Sequence, residues 1–319
     1  MSPSIITSSG FFSGCLGCMA FVESLAKEEP GCMNLMTFSH FLFVTLEGLI
    51  VTSQFFRVKQ HIPVLACLPT VLVFFLSNVT NNQALNFHIS VPLYIIFRSS
   101  TLVGTLLLNV ILLKRQYSTR KYLSVFAVTL GIVICTLGSA NLETSNKEFS
   151  EEHHRQWLIG VLLLVVGLLL AAYLPISQEM LFKAYGKHDR EAMFKIHLLS
   201  LPFFVFMWND IARSAEKFSR SSILTFGGFS FGLPHLWAYL LATAVLQWVC
   251  VRFIYRLNAE VDSLTSTLFT TLRKFLSLMI SIMWFQNQFT GMHWLGTVFV
   301  FMGTLGFADI WDRRKSKKE

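Results

Sequence analysis

The most apolar stretch of the sequence, residues 157–181, reads WLIGVLLLVVGLLLAAYLPISQEML and contains one charged residue, Glu179. A helix of about 20 apolar residues is long enough to cross the roughly 30 Å hydrocarbon layer of a bilayer. Such a helix also satisfies its own backbone hydrogen bonds, so lipid can replace water around it. The stretch therefore predicts a transmembrane helix.

The composition of the whole chain extends this prediction. Of its 319 residues, 53% are apolar and only 14% are charged, whereas about a quarter of a soluble domain is charged. The fold class that we expect is an all-α membrane protein with ten transmembrane helices. The predicted spans are residues 5–26, 34–56, 63–85, 91–113, 122–140, 157–181, 191–211, 233–255, 261–285 and 292–311.

The hydrophilic connections predict how these spans are organised. The longest one separates two five-span halves, at residues 1–141 and 157–311, with residues 142–156 as a lumenal linker. A second loop, rich in Ser and Gly, is predicted over residues 212–232, and residues 312–319 form a basic tail. No Lys or Arg precedes the first apolar stretch, which argues against a cleaved secretory signal.

The distribution of basic residues predicts the orientation. One set of loops, together with the C-terminal tail, carries fifteen Lys and Arg residues, and the opposite set carries six. Cytoplasmic loops are enriched in Lys and Arg, so both termini are predicted to be cytosolic. The net charge of +8 is explained by this pattern, and we expect no nucleic-acid partner.

A weak internal repeat relates the two halves. After span 4 the sequence reads Gln116-Tyr117-Ser118, then Tyr122-Leu123 and Gly131. After span 9 it reads Gln288-Phe289-Thr290, then Trp294-Leu295 and Gly303, in the same register and without gaps. With five spans in each copy, the copies would have opposite orientations. Inverted repeats of this kind are typical of secondary transporters.

Two cationic residues lie inside predicted spans, where an ionisable group is costly and is a functional candidate. Arg98 begins a polar stripe in span 4, and Lys274 lies halfway along a hydroxyl-rich face of span 9. No acid within a span of the first half is an obvious partner for either. Two cations from different halves therefore indicate a central site for an anion, since Arg and Lys both bind phosphate.

Neighbouring polar residues extend this candidate substrate site, although Ser, Thr and Asn also commonly hold membrane helices together. For a single hydroxyl that structural explanation is the more common one, and Tyr94, Tyr239 and Tyr255 either stack on a base or simply pack. Arg273 is either a second ligand or the partner of an acid such as Asp262. The predicted substrate-binding residues are Lys274, Arg273, Arg98, Asn81, Asn82, Gln247, Tyr239, Thr270 and Ser277.

Other motifs indicate no cofactor or metal. Cys15 and Cys18 have the C-x-x-C spacing within an apolar helix, without a second pair, and are interpreted as small packing residues. His153 and His154 lack further ligands at metal-binding spacing. A phosphate-binding loop of the type used for nucleotide hydrolysis is absent, so we expect no ATP-driven pumping.

The C-terminal residues Lys315-Ser316-Lys317-Lys318-Glu319 match a sorting signal. Lysines at the third and fifth positions from the end form the K-x-K-x-x dilysine pattern, which coat proteins read for retrieval from the Golgi to the endoplasmic reticulum. Lys315 and Lys317 are therefore predicted to be sorting residues. The alternative is that the basic tail only enforces orientation.

A set of short motifs resembles a known family. They are Asn81-Asn82-Gln83-Ala84-Leu85-Asn86, Ile96-Phe97-Arg98-Ser99, Thr271-Leu272-Arg273-Lys274-Phe275 and His293-Trp294-Leu295-Gly296-Thr297. Together they are similar to nucleotide-sugar transporters of the drug/metabolite superfamily, in particular the branch that carries UDP-xylose and UDP-N-acetylglucosamine. The guanine-recognition motifs of the GDP-mannose members are missing.

This resemblance implies a ten-helix fold with inverted five-helix halves and exchange of a cytosolic UDP-sugar for lumenal UMP. It also implies that Lys274 contacts the phosphates and that the protein resides in the Golgi or endoplasmic reticulum membrane. The expected partners are UDP-sugar, UMP, membrane lipids and coat proteins, and a homodimer is left open. The rival hypothesis is an intramembrane transferase that uses a UDP-sugar, but only scattered, peripheral acids are present to serve it.

Overall fold

The structure is a computed structural model, and it describes residues 5–84, 87, 97–98, 100–140, 151–226, 229–284 and 291–307. It confirms the predicted all-α class. The α-helices are α1 (Ile5–Glu28), α2 (Met33–Glu47), α3 (Val64–Ala84), α4 (Thr101–Leu113), α5 (Thr119–Ala140), α6 (Glu151–Tyr185), α7 (Asp189–Ser200), α8 (Trp208–Ser219), α9 (His235–Glu260), α10 (Ser263–Trp284) and α11 (Gly291–Phe307).

Shorter helical turns extend or join some of these helices. A π-helical segment, Gly48–Thr52, continues α2, and the 3-10 helix Leu201–Met207 joins α7 to α8. Another 3-10 turn, Pro30–Cys32, links α1 to α2. Each therefore lies at the boundary of a longer helix.

Five helical segments within the described residues are long and apolar enough to span a membrane. They are Met33–Thr52, Val64–Asn81, Arg155–Tyr185, Asp189–Ser219 and His235–Glu260. The shorter helices Thr101–Leu113 and Gly291–Phe307 are also apolar. Each of the ten predicted spans overlaps a helix, and the number of membrane crossings stays a prediction.

The predicted loop over residues 212–232 is wrong, because this region is mostly ordered secondary structure. Its first part belongs to α8, which buries Ile211, Ser214 and Phe218 on one face, at a spacing of three and then four residues. The second part forms an antiparallel hairpin of β1 (Ile223–Phe226) and β2 (Phe229–Pro234). The Ser and Gly content of the region suggested a loop, whereas the helical spacing of its apolar residues was the better signal.

The helices form two compact units, and each unit combines segments from both halves of the sequence. The first unit consists of residues 1–75 and 177–266. Its buried core includes Val44, Val71, Ile196 and Tyr255. In this unit α1 packs closely on α9, because a side chain at Gly10 or Gly14 would collide with Phe253 or Val249.

The second unit consists of residues 76–176 and 267–319. Here a Cβ atom at Gly131 in α5 would lie 2.5 Å from the Gly296 carbonyl oxygen of α11. A Cβ atom at Gly303 in α11 would lie 2.8 Å from the Ser124 carbonyl oxygen of α5. The two helices are therefore antiparallel and in near backbone contact, which only residues without a side chain permit.

The sequence repeat relates these two contacts to each other. The repeat shifts position 131 to 303 and position 124 to 296, so each glycine contact maps onto the other. A local two-fold relation between α5 and α11 follows, as an inverted repeat would produce. The division into halves at 1–141 and 157–311 and the inverted topology of all ten spans remain predictions.

Candidate functional site

Lys274 and Arg98, the two cations singled out in the sequence, lie together in the second unit. The Lys274 ammonium Nζ donates a hydrogen bond of 2.9 Å to the Arg98 carbonyl oxygen. The Thr101 hydroxyl donates to the same carbonyl, at 2.7 Å. The main chain at the start of α4 is thus fixed by a hydroxyl from its own helix and by the lysine of α10.

The polar stripes that include these two residues also contact each other directly, through hydroxyl groups of α4 and α10. The Thr267 hydroxyl of α10 donates to the Thr105 hydroxyl of α4 at 3.3 Å, and Thr105 donates to the Ala172 carbonyl of α6. Thr105, Thr267 and Asn109 are all buried. Most of these groups therefore hold α4, α6 and α10 together, which is the structural explanation that the sequence left open.

The charge around Lys274 is positive. Arg98 and Arg273 are the charged groups that act on its ammonium, and within the described residues no carboxylate lies within ion-pair distance of it. A lysine carries three N–H donors, of which the Arg98 carbonyl takes one. This arrangement suits a multiply charged anion such as a phosphate.

The other predicted substrate-binding residues of the second unit either form hydrogen bonds within the protein or have side chains that are not described. Asn81 donates a hydrogen bond from its side-chain amide to the Ser77 carbonyl, and its Oδ1 would lie 3.2 Å from a Cβ atom at Gly167 of α6. The Thr270 hydroxyl donates to the Thr267 carbonyl within its own helix. Asn82 and Ser277 belong to α3 and α10, and their side chains lie outside the described residues.

Gln247 and Tyr239 lie on α9, in the first unit, and both have structural contacts there. The Gln247 carbonyl oxygen accepts a hydrogen bond of 2.8 Å from the Cys18 thiol of α1. The Tyr239 ring packs edge-on against Phe21, with ring centroids 6.1 Å apart. Packing, the default interpretation for Tyr239, therefore has direct support. The assignment of either residue to a substrate remains a prediction.

The interpretation of Cys15 as a small packing residue is wrong, because Cys15 forms a disulfide with Cys250. The Cα atoms are 4.6 Å apart, a separation that the close α1–α9 contact at Gly14 provides. Because 235 residues separate the two cysteines, the disulfide could be predicted only from that helix contact. Cys18, Cys32 and Cys67 are buried and form no disulfide within the described part of the chain, which agrees with the packing interpretation of Cys18.

The sequence reasoning missed a buried polar network in the first unit. The Asn258 amide donates to Gln178, and the Ser266 hydroxyl donates to Asn258. Glu179 accepts a hydrogen bond from the backbone N–H of Ser263, the first residue of α10, and pairs with Lys183 at 2.8 Å. Glu179 lies near the end of its predicted span, and this position lets it cap the first turn of α10.

Lys315 and Lys317, the predicted sorting residues, lie outside the described residues. So do Gln288 of the second repeat copy and Tyr94, for which the sequence leaves stacking on a base and simple packing open.

Comparison with known proteins identifies close relatives over nearly the full length. The chain is 43% identical over 311 residues to the nucleotide sugar transporter SLC35B4 of Homo sapiens, covering 96% of this chain and 94% of that protein. It is 43% identical over 303 residues to a Danio rerio protein named UDP-xylose and UDP-N-acetylglucosamine transporter, covering 94% and 92%. It is also 41% identical over 311 residues to a Drosophila melanogaster protein named endoplasmic reticulum GDP-fucose transporter, covering 94% and 88%.

A solved crystal structure has the same fold, with a TM-score of 0.64 over 97% of each chain and 12% sequence identity. The family model that describes UAA transporters matches residues 3–311. This match takes in Arg98 and Lys274 as well as both copies of the repeat. The chain is therefore a membrane protein that belongs to the UAA transporter family.

Proposed function

We propose that this protein is an antiporter that carries a UDP-sugar into the lumen of the Golgi or endoplasmic reticulum in exchange for UMP. The transport class is supported by the family and by relatives that are named nucleotide sugar transporters. UDP-xylose and UDP-N-acetylglucosamine are the favoured sugars, because a relative with 43% identity is named for both. Location in the membrane of the Golgi or endoplasmic reticulum is proposed by analogy with these relatives and from the dilysine tail.

One observation carries the proposal to particular residues. The Lys274 ammonium lies against the Arg98 main chain, next to the charges of two arginines and without a carboxylate partner within the described residues. A positive site inside a membrane is costly unless it receives a negative ligand. The phosphates shared by UDP-sugars and UMP supply that ligand.

The proposed mechanism is alternating access around a single site. Lys274 acts as a compact point charge for phosphate, and Arg98 or Arg273 adds a planar fork that matches two phosphate oxygens. Because the UMP moiety is common to both ligands, its binding energy favours the same occluded state in each direction. Return of the empty protein is then slow, and the result is exchange. No bond of the substrate is made or broken.

A second candidate substrate is GDP-fucose, favoured by the name of the Drosophila melanogaster relative. Its nucleotide also carries two phosphates, so Lys274 would serve it equally well. Base selection would then fall to residues that read the edge of the ring, for which Asn82 and Gln247 are the proposed candidates.

Reconstitution into liposomes tests the proposal and its alternatives together. Purified protein is placed in vesicles with or without internal UMP or GMP, and radiolabelled UDP-N-acetylglucosamine, UDP-xylose or GDP-fucose is added outside. We expect uptake of intact UDP-sugar that depends on internal UMP. Uptake of GDP-fucose driven by GMP would select the second candidate, and release of free sugar or UDP would indicate the rival transferase.

A further inference from the structure

A basic pocket outside the proposed transport site lies where two loops of the first unit meet. One loop follows the π-helical turn at Gly48–Thr52, and the other joins α6 to α7. The pocket has a volume of about 240 Å³. Its polar lining includes Lys59, His61, Lys187, His188 and Arg190.

The charge of the pocket is positive because one of its two carboxylates is already neutralised. Glu191 accepts hydrogen bonds from the backbone N–H groups of His61 and Ile62, both at 2.9 Å. Its Oε1 also forms an ion pair of 2.8 Å with the Lys195 ammonium, which is buried. Asp189 is the other acid in the lining, against Lys59, Lys187 and Arg190.

A metal ion is the first alternative, since ligand atoms of His61, His188 and Glu191 lie within 4.8 Å of one another. Two features oppose it. The imidazole rings are stacked, with centroids 4.1 Å apart and planes 8° apart, instead of converging on a point. The Glu191 oxygens are occupied by backbone N–H groups and by Lys195, and three further cations surround the site. An anion is favoured over a cation by the same charges.

The position of the pocket indicates where the anion comes from. Phe55 and Phe56 lie between the lining residues Ser53 and Val58 in the same loop and are 64% and 57% exposed. Both have positive φ angles, +56° and +63°, a conformation that is unusual for bulky residues and is associated with functional sites. Exposed Phe side chains are suited to contact acyl chains, and the basic residues beside them are suited to contact lipid headgroups.

We propose that this pocket binds the phosphorylated headgroup of an anionic lipid. Lys59, Lys187 and Arg190 contact the phosphate, and Phe55 and Phe56 contact the acyl region beside it. Basic pockets at helix ends on the cytosolic side are suited to such headgroups, and these loops belong to the set predicted to be cytosolic. The site shares no residue with the proposed transport site and would tie the protein to membranes rich in phosphorylated lipid.

A measurement of lipid retention tests the proposed headgroup binding directly. The full-length protein is reconstituted in nanodiscs of phosphatidylcholine that contain either phosphatidylinositol or phosphatidylinositol 4-phosphate, and bound lipids are counted by native mass spectrometry. We expect wild-type protein to retain the phosphorylated lipid preferentially. The double variant Lys59→Gln/Arg190→Gln should lower that retention roughly tenfold or more, since two charged hydrogen bonds are lost.

The matched control is Arg57→Gln, which removes one positive charge from the same exposed loop as Lys59 but does not line the pocket, and it is compared with the single variant Lys59→Gln. We expect Arg57→Gln to retain the lipid as wild type does. Melting curves in pure phosphatidylcholine nanodiscs verify folding, and the single variant Lys187→Gln replaces the double variant if the latter is unfolded. Equal loss in Arg57→Gln, or equal retention of the two inositol lipids by wild type, would overturn the proposal.

Two further outcomes name other ligands and also overturn it. In one, inorganic phosphate or UMP displaces the lipid from wild-type protein, while the same concentrations have no effect on the Lys59→Gln/Arg190→Gln variant. This result would assign the pocket to a soluble anion. Zinc retained by wild type in lipid-free detergent, and lost in His188→Gln, would assign it to a metal.

Discussion

At the scale of single residues, the structure separates two kinds of polar group that the sequence presented alike. Lys274 lies against Arg98 and next to further positive charge, with hydrogen-bond donors to spare. Gln247, predicted for the same site, has its carbonyl oxygen engaged by the Cys18 thiol. An intramembrane lysine could be recognised from its cost alone. An intramembrane amide could not, because its neighbour on α1 is more than two hundred positions away in sequence.

Paired substitutions at this contact test the assignment of Gln247. If Gln247 reads the uracil edge, Gln247→Ala should weaken binding of UMP and of every UDP-sugar by the same factor, up to about tenfold for one neutral hydrogen bond. Cys18→Ala removes the same thiol–amide contact but leaves the amide in place, so it should not change affinity. Ligand-induced thermal shifts of the purified variants measure both effects.

The same two variants also test the alternative, in which Gln247 has only a structural role. If the two variants melt lower by similar amounts and bind UMP as wild type does, Gln247 only joins α1 to α9. A sugar-selective loss in Gln247→Ala would instead place the residue near the sugar.

At the scale of helices, the length of the apolar runs predicted the elements well and their contacts poorly. Each predicted span overlaps a helix, because a long apolar run determines a helix without reference to the rest of the chain. The α8 helix and the following hairpin were missed, because Ser and Gly in residues 212–232 resemble a loop while the apolar spacing of Ile211, Ser214 and Phe218 is helical. The disulfide between α1 and α9 depends on tertiary contact, which no local pattern encodes.

The repeat was visible in sequence, and its glycines prove to be packing residues. We predict that Gly131→Ala destabilises the protein by about 1–3 kcal/mol, a typical cost of overpacking. The new Cβ atom would lie 2.5 Å from the Gly296 carbonyl, and a backbone atom of a helix cannot move aside at low cost. Gly303→Ala should behave similarly, since its Cβ atom would meet the Ser124 carbonyl at 2.8 Å. Thermal unfolding in detergent measures both.

Gly17→Ala provides the comparison within a helix where space is available. Its Cβ atom would be 4.0 Å from the nearest side-chain atom, on Leu246, so we expect no loss of stability. Gly131→Ala and Gly303→Ala melting at the wild-type temperature would show that α5 and α11 are not in near backbone contact.

At the scale of the whole molecule, the orientation is still a prediction from the loops. Fifteen basic residues against six predict that both termini are cytosolic. An epitope tag added after Glu319 should therefore be digested by protease in sealed microsomes, and it is detected by immunoblot. A protected tag would reverse the orientation and remove the basis of the proposed sorting signal.

The dilysine tail predicts the distribution of the protein between membranes. Lys315→Ser/Lys317→Ser should shift the protein away from the endoplasmic reticulum, as seen by microscopy, while exchange in liposomes is unchanged. Arg313→Ser/Arg314→Ser removes the same charge without touching the pattern, and it should leave the distribution as it is. A shift of equal size in both variants would show that only the charge of the tail matters.

The central claim is that one phosphate site, centred on Lys274, serves both ligands of an exchanger. Its most direct test is a titration of exchange in liposomes with wild-type and Lys274→Ala protein, varying external UDP-N-acetylglucosamine in one series and external UMP in the other. A charged hydrogen bond contributes about 1.5–3 kcal/mol, so both half-saturating concentrations should rise together, by roughly ten- to a hundredfold. Lys274→Arg should recover part of the loss, since it keeps the charge with a different geometry. A folded Lys274→Ala protein with unchanged half-saturation for either ligand would contradict the account.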